Sequence, residues 1–507
     1  MSGAYPIIPL IEQRAAQAHV PHRADAATSE ALGYPGEPVE NWQALAIARL
    51  GELVAGNRAL RVFMDTCTRC GACTDKCHYY LGTHDPNNMP VARQELLRSV
   101  WRRHHTWSGR WLPWLVGARE LTREMLDDWY RYFHQCSECR RCAVFCPKGI
   151  DTSELSMAGR EILASVGLGQ RYTQTIVEKA GRLGNNLGFK PAALQDVLQN
   201  LEEDILEETG VAVRLPLDRP GCEILVVTPS ADFFAEPHVD GLIGYAKVLH
   251  AAGVSWTFSS HASEAANFGL FNGNLDHERQ LAERLVEAVR RLGVSRLVIG
   301  ECGHAWRVAG ERLPALAGDL SMLARGRAEH LCELSVELLD SGRIRLDPVR
   351  NAGVVATYHD SCNVARGAMM GERADGAFEL PRRLLRAAVP TVVEMADGTT
   401  RRETFCCGGG GGTLTDELMP LRVQGAEPRA RALRRVVERD AVTHLVAICA
   451  ICKTQFDSVL PAHELGEVRV TSLHALVGEA LVLGAPASGA AALDAGGPAD
   501  TATASAR

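Results

Sequence analysis

Residues 136–147 read Cys-Ser-Glu-Cys-Arg-Arg-Cys-Ala-Val-Phe-Cys-Pro, and residues 67–77 repeat the spacing as Cys67-x2-Cys70-x2-Cys73-x3-Cys77. Three thiols at such intervals come from one tight turn of chain, and the fourth reaches elsewhere. That arrangement suits the corners of an iron–sulfur cube better than a single tetrahedral ion. Structural zinc is the competing reading. Zinc knuckles, however, bring two Cys-x2-Cys pairs together, whereas here a 2-2-3 run occurs twice, once with the trailing Pro147. The two runs predict two cubane [4Fe–4S] clusters.

Working outward, the 507 residues hold sixteen cysteines, and thirteen of them fall in three tight constellations, which excludes a scattered disulfide framework. A chain of this length accommodates three or four units. Hydrophobic residues at 46% and charged residues at 23% are those of an ordinary globular protein. The net charge of -7 gives no reason to expect nucleic acid as a partner. The opening residues lack a basic stretch, Pro6 and Pro9 interrupt any apolar one, and no run approaches the ~18 apolar residues of a membrane span. A chain on the cytoplasmic side, at most peripherally attached to the membrane, is expected.

The texture divides the chain into six stretches. Residues 1–40, with five prolines, read as an irregular arm. Residues 41–154 form a helical domain around the two cysteine runs, and 155–218 a helical connector. From 219 to 345 strand and helix alternate, the order repeats over 346–483, and 484–507 is an Ala/Gly/Pro/Ser/Thr tail expected to be disordered. Predicted strands in the repeat include Val354–Tyr358, Thr391–Glu394 and Thr443–Ile448, with helices over Asn41–Asp65, Pro381–Ala388 and Arg429–Asp440. The fold class is therefore mixed: a helical ferredoxin-like domain with two cluster motifs, then two α/β halves with largely parallel sheets. In two-cluster ferredoxins the last cysteine of each run serves the other cluster. Cys67, Cys70, Cys73 and Cys146 are thus expected to hold one cube, and Cys136, Cys139, Cys142 and Cys77 the other.

The third constellation is Cys362, Cys406-Cys407-Gly408 and Cys449-x2-Cys452. Five thiols come from three strand ends of one half, where open parallel sheets place their ligand sites. Adjacent cysteines cannot comfortably share one corner of a cube, yet they suit neighbouring irons of an expanded cluster. Gly408, Gly409 and Gly410, at the start of a run continuing to Gly412, are expected to let backbone approach the sulfurs and to leave an open face for substrate. No Gly-Lys-Ser/Thr follows, so a phosphate loop is excluded. The two halves also align in detail: Arg296–His304 on His444–Cys452, and Asn267–Gly273 on Cys406–Gly412. Metal ligands survive mainly in the second copy.

This pattern, Cys-xn-Cys-Cys-Gly-xm-Cys-x2-Cys, resembles the CCG domains of the heterodisulfide reductase family. The resemblance covers roughly residues 40–480, and Gly82–Arg93, Gln135–Pro147 and Gly149–Thr152 sharpen it towards a catalytic subunit of a membrane complex of dissimilatory sulfur metabolism. It implies a non-cubane [4Fe–4S] cluster held by Cys362, Cys406, Cys407, Cys449 and Cys452, which splits disulfides in one-electron steps, and a first CCG half that has degenerated. The implied partners are a membrane haem b subunit of the DsrM type, the other subunits of that Dsr complex, and a sulfur-carrier protein of the DsrC type presenting a disulfide or trisulfide. The alternative is a non-catalytic relay, like the iron–sulfur partners of flavin-dependent glycolate or glycerol-3-phosphate dehydrogenases.

Other residues compete for roles. His359, Asp360 and Lys453 flank the ligand cysteines, and His359 is the natural proton donor near neutral pH. Cys222, Cys302 and Cys332 read as buried structural thiols, and His304 as a relic of the lost site. Trp101, Trp107, Trp111 and Trp114 either dock on a membrane partner or shield the clusters from water.

Overall fold

The computed structural model describes residues 19–483; residues 1–18 of the expected arm and the expected tail 484–507 lie outside the described residues. The rest of the arm is not wholly irregular. Asp25 caps a helix over Ala26–Ala31 through the Thr28 N–H (2.7 Å), and Arg23 pairs with Gln170. The helix expected over Asn41–Asp65 is two, Trp42–Gly56 and Arg58–Thr66, because the Asn57 side chain accepts from the Leu60 N–H and starts a new helix. The insert between the cysteine runs is mostly helical, chiefly Pro90–His105 and Arg123–His134. Leu50, Leu97, Trp129, Phe133, Leu155 and Ile162 meet in its core.

Helix Thr152–Ser165 crosses the expected boundary at residue 154 and is buried over nearly its whole length. It packs against helices Trp42–Gly56, Pro90–His105 and Arg123–His134, so the start of the expected connector is core.

Each α/β half holds one four-stranded parallel sheet. In the first, β1 (Ile224–Val227), β2 (Trp256–Thr257), β3 (Arg296–Ile299) and β4 (Glu329–His330) stand in the order β2-β1-β3-β4. In the second, β5 (Val355–His359), β6 (Thr391–Val393), β7 (His444–Ala447) and β8 (Arg469–Thr471) stand in the order β6-β5-β7-β8. The topology is the same. Ile224 pairs with Arg296 in the first sheet and Ala356 with His444 in the second, so the two registers superpose residue on residue. The short strands β4 and β8 are additions to the strands expected from the sequence. Pro381 and Pro428 look like helix starts but sit inside Gly376–Ala388 and Met419–Asp440. No helix among the described residues is long and apolar enough to cross a membrane.

The halves share one hydrophobic core and are clamped by helix Leu473–Ala480 of the second lying on helix Val239–Ala251 of the first. Gly244 and Gly478 make that crossing possible. A Cβ on Gly244 would stand 1.9 Å from the His474 carbonyl oxygen, and one on Gly478 2.8 Å from the Gly244 Cα. Gly244→Ala should therefore force the helices apart and cost about 1–3 kcal/mol, as overpacking does. Gly181→Ala, in a helix with open space around the added carbon, should be neutral or stabilising by up to ~1 kcal/mol. Paired thermal melts check both, and equal shifts would contradict the clamp.

Candidate metal centre

Cys67, Cys70, Cys73 and Cys146 line one small cavity, and Cys77, Cys136, Cys139 and Cys142 another. The last cysteine of each run thus stands with the first three of the other. Both turns are shaped alike: Arg69 and Gly71 in the first, and Glu138 and Arg140 in the second, take left-handed backbone (φ 55°, 76°, 55° and 61°). The paired left-handed residues curl each turn around its thiols.

The electrostatics fit an anionic group in these cavities. Arg93, 2% exposed, has no carboxylate partner among the described residues, and the sulfurs of Cys136, Cys77 and Cys142 are the negative groups that act on it. Arg366 donates to the Cys139 carbonyl (2.5 Å); Arg98, by contrast, is paired with Glu95 and also donates to the Cys67 carbonyl (3.2 Å). Burial holds Arg141 and Arg429 down to about 10. Buried guanidinium groups without carboxylates require compensating negative charge nearby, which iron-bound thiolates supply.

The five CCG thiols are all buried. Cys362 opens the helix after β5, Cys449 follows the end of β7, and Cys452 lies in the first turn of helix Ala450–Val459. Cys406 lies within hydrogen-bonding reach of Cys139, Cys362 and Cys407, and these bonds pull its thiol well below the usual range. Cys407 in turn reaches Cys452, and Cys452 reaches Cys449. One chain of sulfur contacts therefore runs from the second ferredoxin-type cavity through the whole set.

Gly408 and Gly412 have φ of 95° and 93°, which only glycine adopts readily, and the turn aims the Gly408 N–H at the Cys406 sulfur (3.4 Å). The glycine run does not form an open face. Gly408 to Gly412 are buried, and a Cβ on Gly411 would stand 2.8 Å from the Ser137 carbonyl carbon. The ferredoxin-type turn itself covers the loop, a contact invisible to a reading of the loop alone.

His359 is fully buried, its ring edge-on to Phe456, with no hydrogen-bond partner on either nitrogen among the described residues. Burial, aided by Arg429, lowers it to about 3. At pH 7 the ring is therefore neutral and lacks the acidic imidazolium proton that the expected donor role requires. Asp360 is tied to Arg382 by two 2.7 Å bonds, and the Lys453 ammonium donates to Ser472 (2.6 Å), so both are structural.

Two residues set aside in the sequence stand at the site. Cys302 lies within hydrogen-bonding reach of Cys449, and His304 Nδ1 is 3.9 Å from the Cys449 sulfur while its Nε2 accepts from the Gly411 N–H (3.4 Å). The internal repeat was the signal that could have found them. Arg160 carried none. Its buried guanidinium donates to the carbonyls of Phe133, Cys136, Phe271 and Gly411, and stands 2.9 Å from the Glu138 carboxyl.

A family described as 4Fe-4S dicluster domain matches residues 63–150, and a cysteine-rich CCG domain matches residues 356–457. Over 476 residues the chain is 38% identical to the Hdr-like menaquinol oxidoreductase iron-sulfur subunit 2 of Archaeoglobus fulgidus, an alignment covering 88% of this chain and 84% of that protein. The chain belongs to the Hdr-like iron–sulfur oxidoreductase subunits. To the corresponding protein of Archaeoglobus profundus this Hdr-like chain is 37% identical over the same shares. To a subunit of the dihydromethanophenazine:CoB–CoM heterodisulfide reductase of Methanosarcina barkeri it is 25% identical, over 83% of this chain and 94% of that one. No solved structure matches it with comparable significance. The two matched domains imply iron–sulfur clusters in the Hdr-like chain, in agreement with the thiols and unpaired arginines described above.

Arg160→Met should leave four carbonyls and a carboxyl without their buried partner and cost about 3–5 kcal/mol, with Arg160→Lys recovering only part, because an ammonium lacks the planar fork. Denaturant midpoints and the paramagnetic signals of the clusters in both variants measure it. Midpoints within error of wild type would remove Arg160 from this role.

Proposed function

We propose that the chain is the catalytic subunit of a DsrK-type complex. It would exchange electrons between menaquinol, reached through a membrane haem b subunit, and the disulfide or trisulfide of a small sulfur-carrier protein in dissimilatory sulfur metabolism. Its place would be peripheral, on the cytoplasmic face of the membrane. The observation that carries the reading is the packing of Cys139 against the buried cluster that contains Cys362, Cys406, Cys407, Cys449 and Cys452, which brings a ferredoxin-type thiol to the CCG set.

The residues divide the work. Cys67, Cys70, Cys73 and Cys146 would hold the outer cubane, with Cys70 exposed at the surface as the entry point. Cys136, Cys139, Cys142 and Cys77 would hold the inner one, and Cys362, Cys406, Cys407, Cys449 and Cys452 the non-cubane cluster. When bound, these clusters supply one-electron transfer and, at the CCG thiols, cleavage of a sulfur–sulfur bond. Arg93, Arg366 and Arg429 balance the charge of the buried sulfurs, and the Gly408–Gly412 loop with the Cys136–Ser137 turn excludes water. Quinol oxidation releases two electrons and two protons; disulfide reduction to two thiols consumes the same number, and reduction of a trisulfide to two thiols and sulfide consumes those of two quinols.

Cys406→Ser or Cys407→Ser should alter the paramagnetic signal of the CCG cluster and abolish thiol release from oxidised carrier. Residues 67–146 should remain reducible by a small dye. Electron paramagnetic resonance with thiol counting tests this, and unchanged carrier reduction in both variants would overturn the catalytic assignment.

The tryptophans support the membrane side of the reading. Trp101 stacks on His105, whereas Trp107, Trp111 and Trp114 are 71–79% exposed and shield nothing. They lie on helices Trp107–Trp111 and Pro113–Val116, which end at Gly117, beside the Arg69 side chain between Cys67 and Cys70. Trp107→Ala with Trp111→Ala and Trp114→Ala should reduce co-purification with the membrane partner while leaving iron and sulfide content at the wild-type value. Cluster loss with assembly intact would instead make the tryptophans a shield.

A further inference from the structure

The superposed registers make Ser230 the counterpart of Cys362, Glu301 that of Cys449 and His304 that of Cys452, and the alignment of Asn267–Gly273 on Cys406–Gly412 makes Phe268 that of Cys407. The first half has therefore lost every ligand side chain at these positions. Part of the space is filled: Phe268 lies parallel to His304, with ring centroids 5.9 Å apart, and Glu301 bonds His474 at 2.7 Å. Part of it is not. Ser230, Phe268 and Cys302 line a cavity of about 610 Å³ that reaches Ala450 and Ile451, the two residues between Cys449 and Cys452.

The other sides of the CCG thiols are closed. Cys139 and Arg366 cover one, His359 with Phe456 another, and Gln455 packs under Gly408 and Gly409. Cys302 is the one cysteine among the described residues that lines the cavity, and it lies within hydrogen-bonding reach of Cys449. The larger groove between helices Leu331–Asp340 and Gly376–Ala388 is lined by charged residues and by none of the cysteines. The cavity wall is mostly apolar, with Tyr172, Ile176 and Leu187 in its lining; of its charged residues, Arg171 stands 3.6 Å from Glu417, Glu264 accepts from the Ser230 N–H (2.7 Å), and Lys179 has no ion pair among the described residues. A volume of this size holds a small molecule or a few residues of an inserted chain.

We propose that this cavity, at the abandoned ligand site of the first half, is the disulfide-binding site of the second half. It takes an apolar disulfide bearing a negative group, with the sulfur–sulfur bond against Cys302 and Cys449 and the anion towards Lys179. The proposal rests on the disulfide reading above and deepens it. It also gives the degenerate half a function: losing its own cluster ligands left the room through which the other site is reached. The same chemistry arrives on a free small disulfide or on a cysteine-bearing segment of a carrier, and the experiment separates them.

The test uses the anaerobically purified holoprotein, wild type, Thr175→Trp and Lys179→Glu. Thr175 lines the cavity from helix Arg171–Leu183, outside the cluster sites. An anionic aromatic disulfide, 5,5′-dithiobis(2-nitrobenzoate), should exchange with the Cys302 thiol to give a mixed disulfide there and one released aryl thiol, located by mass spectrometry. Neutral 2,2′-dithiodipyridine serves as its uncharged counterpart. Thr175→Trp should slow labelling by both probes about tenfold or more, and Lys179→Glu only that by the anionic one. Oxidised carrier should protect Cys302 in the wild type if it uses the cavity. The kcat/KM for a small disulfide, for the carrier, or for both should fall about tenfold in Thr175→Trp with cluster signals unchanged. A fall with only one assigns the cavity to that source. Wild-type labelling and wild-type kcat/KM for both disulfides in both variants would overturn this proposal and leave the disulfide reading standing. A wild-type protein that reduces neither disulfide would sink that reading, and this proposal with it.

Discussion

The Arg160 guanidinium is the junction on which the arrangement of the sites depends. It reaches the Cys136 carbonyl on the ferredoxin-type turn, the Phe271 carbonyl in the first α/β half and the Gly411 carbonyl in the second, each at 2.6 Å. One rigid fork of donors thus sets the distance between a ferredoxin-type thiol and the CCG loop. Such a buried cation is costly to desolvate, and it is retained where its five N–H groups find acceptors that would otherwise be unsatisfied. Helix Thr152–Ser165, which carries it, is correspondingly buried among the N-terminal helices, so the position of the fork is held by packing.

Around that junction the protein keeps positive charge inside without carboxylates. Arg93, Arg366 and Arg429 take carbonyl and amide acceptors from the backbone and nearby polar side chains. Elsewhere the buried arginines are conventionally paired, as Arg382 is with Asp360. The contrast separates arginines that stabilise a fold from arginines waiting on a charged cofactor. Electron transfer through buried clusters changes their charge by one unit at a time, and fixed guanidinium groups moderate what each unit costs in a low-dielectric interior.

The two α/β halves show how duplication becomes division of labour. Their sheets have the same order and register, and their cores are continuous. Yet one half carries five thiols where the other has Ser230, Asn267, Phe268, Glu301 and His304. Some of the replacements are packed and hydrogen-bonded, Asn267 to the Glu278 carbonyl at 2.6 Å for example, while the space beside Ser230 and Phe268 stays open. His304 even turns back to the surviving site.

Much of this was legible in the chain itself. The 2-2-3 runs, the Cys-Cys-Gly signature and the strand–helix alternation are local patterns. Thiol spacing within one turn and apolar runs along one strand depend on neighbours a few residues away, so sequence determines them. The pairing of Cys146 with the first run and of Cys77 with the second followed from the same spacing. What only the tertiary structure decided involves residues far apart in sequence. Arg160 looks like any surface arginine until three distant carbonyls converge on it. His359 loses its proton because burial, which no local pattern records, disfavours the charged ring. The glycine loop expected to leave an open face for substrate is covered by a turn some 270 residues earlier. Spacing announces which atoms bind; desolvation and long-range packing decide their charge, their neighbours and the side from which they are reached.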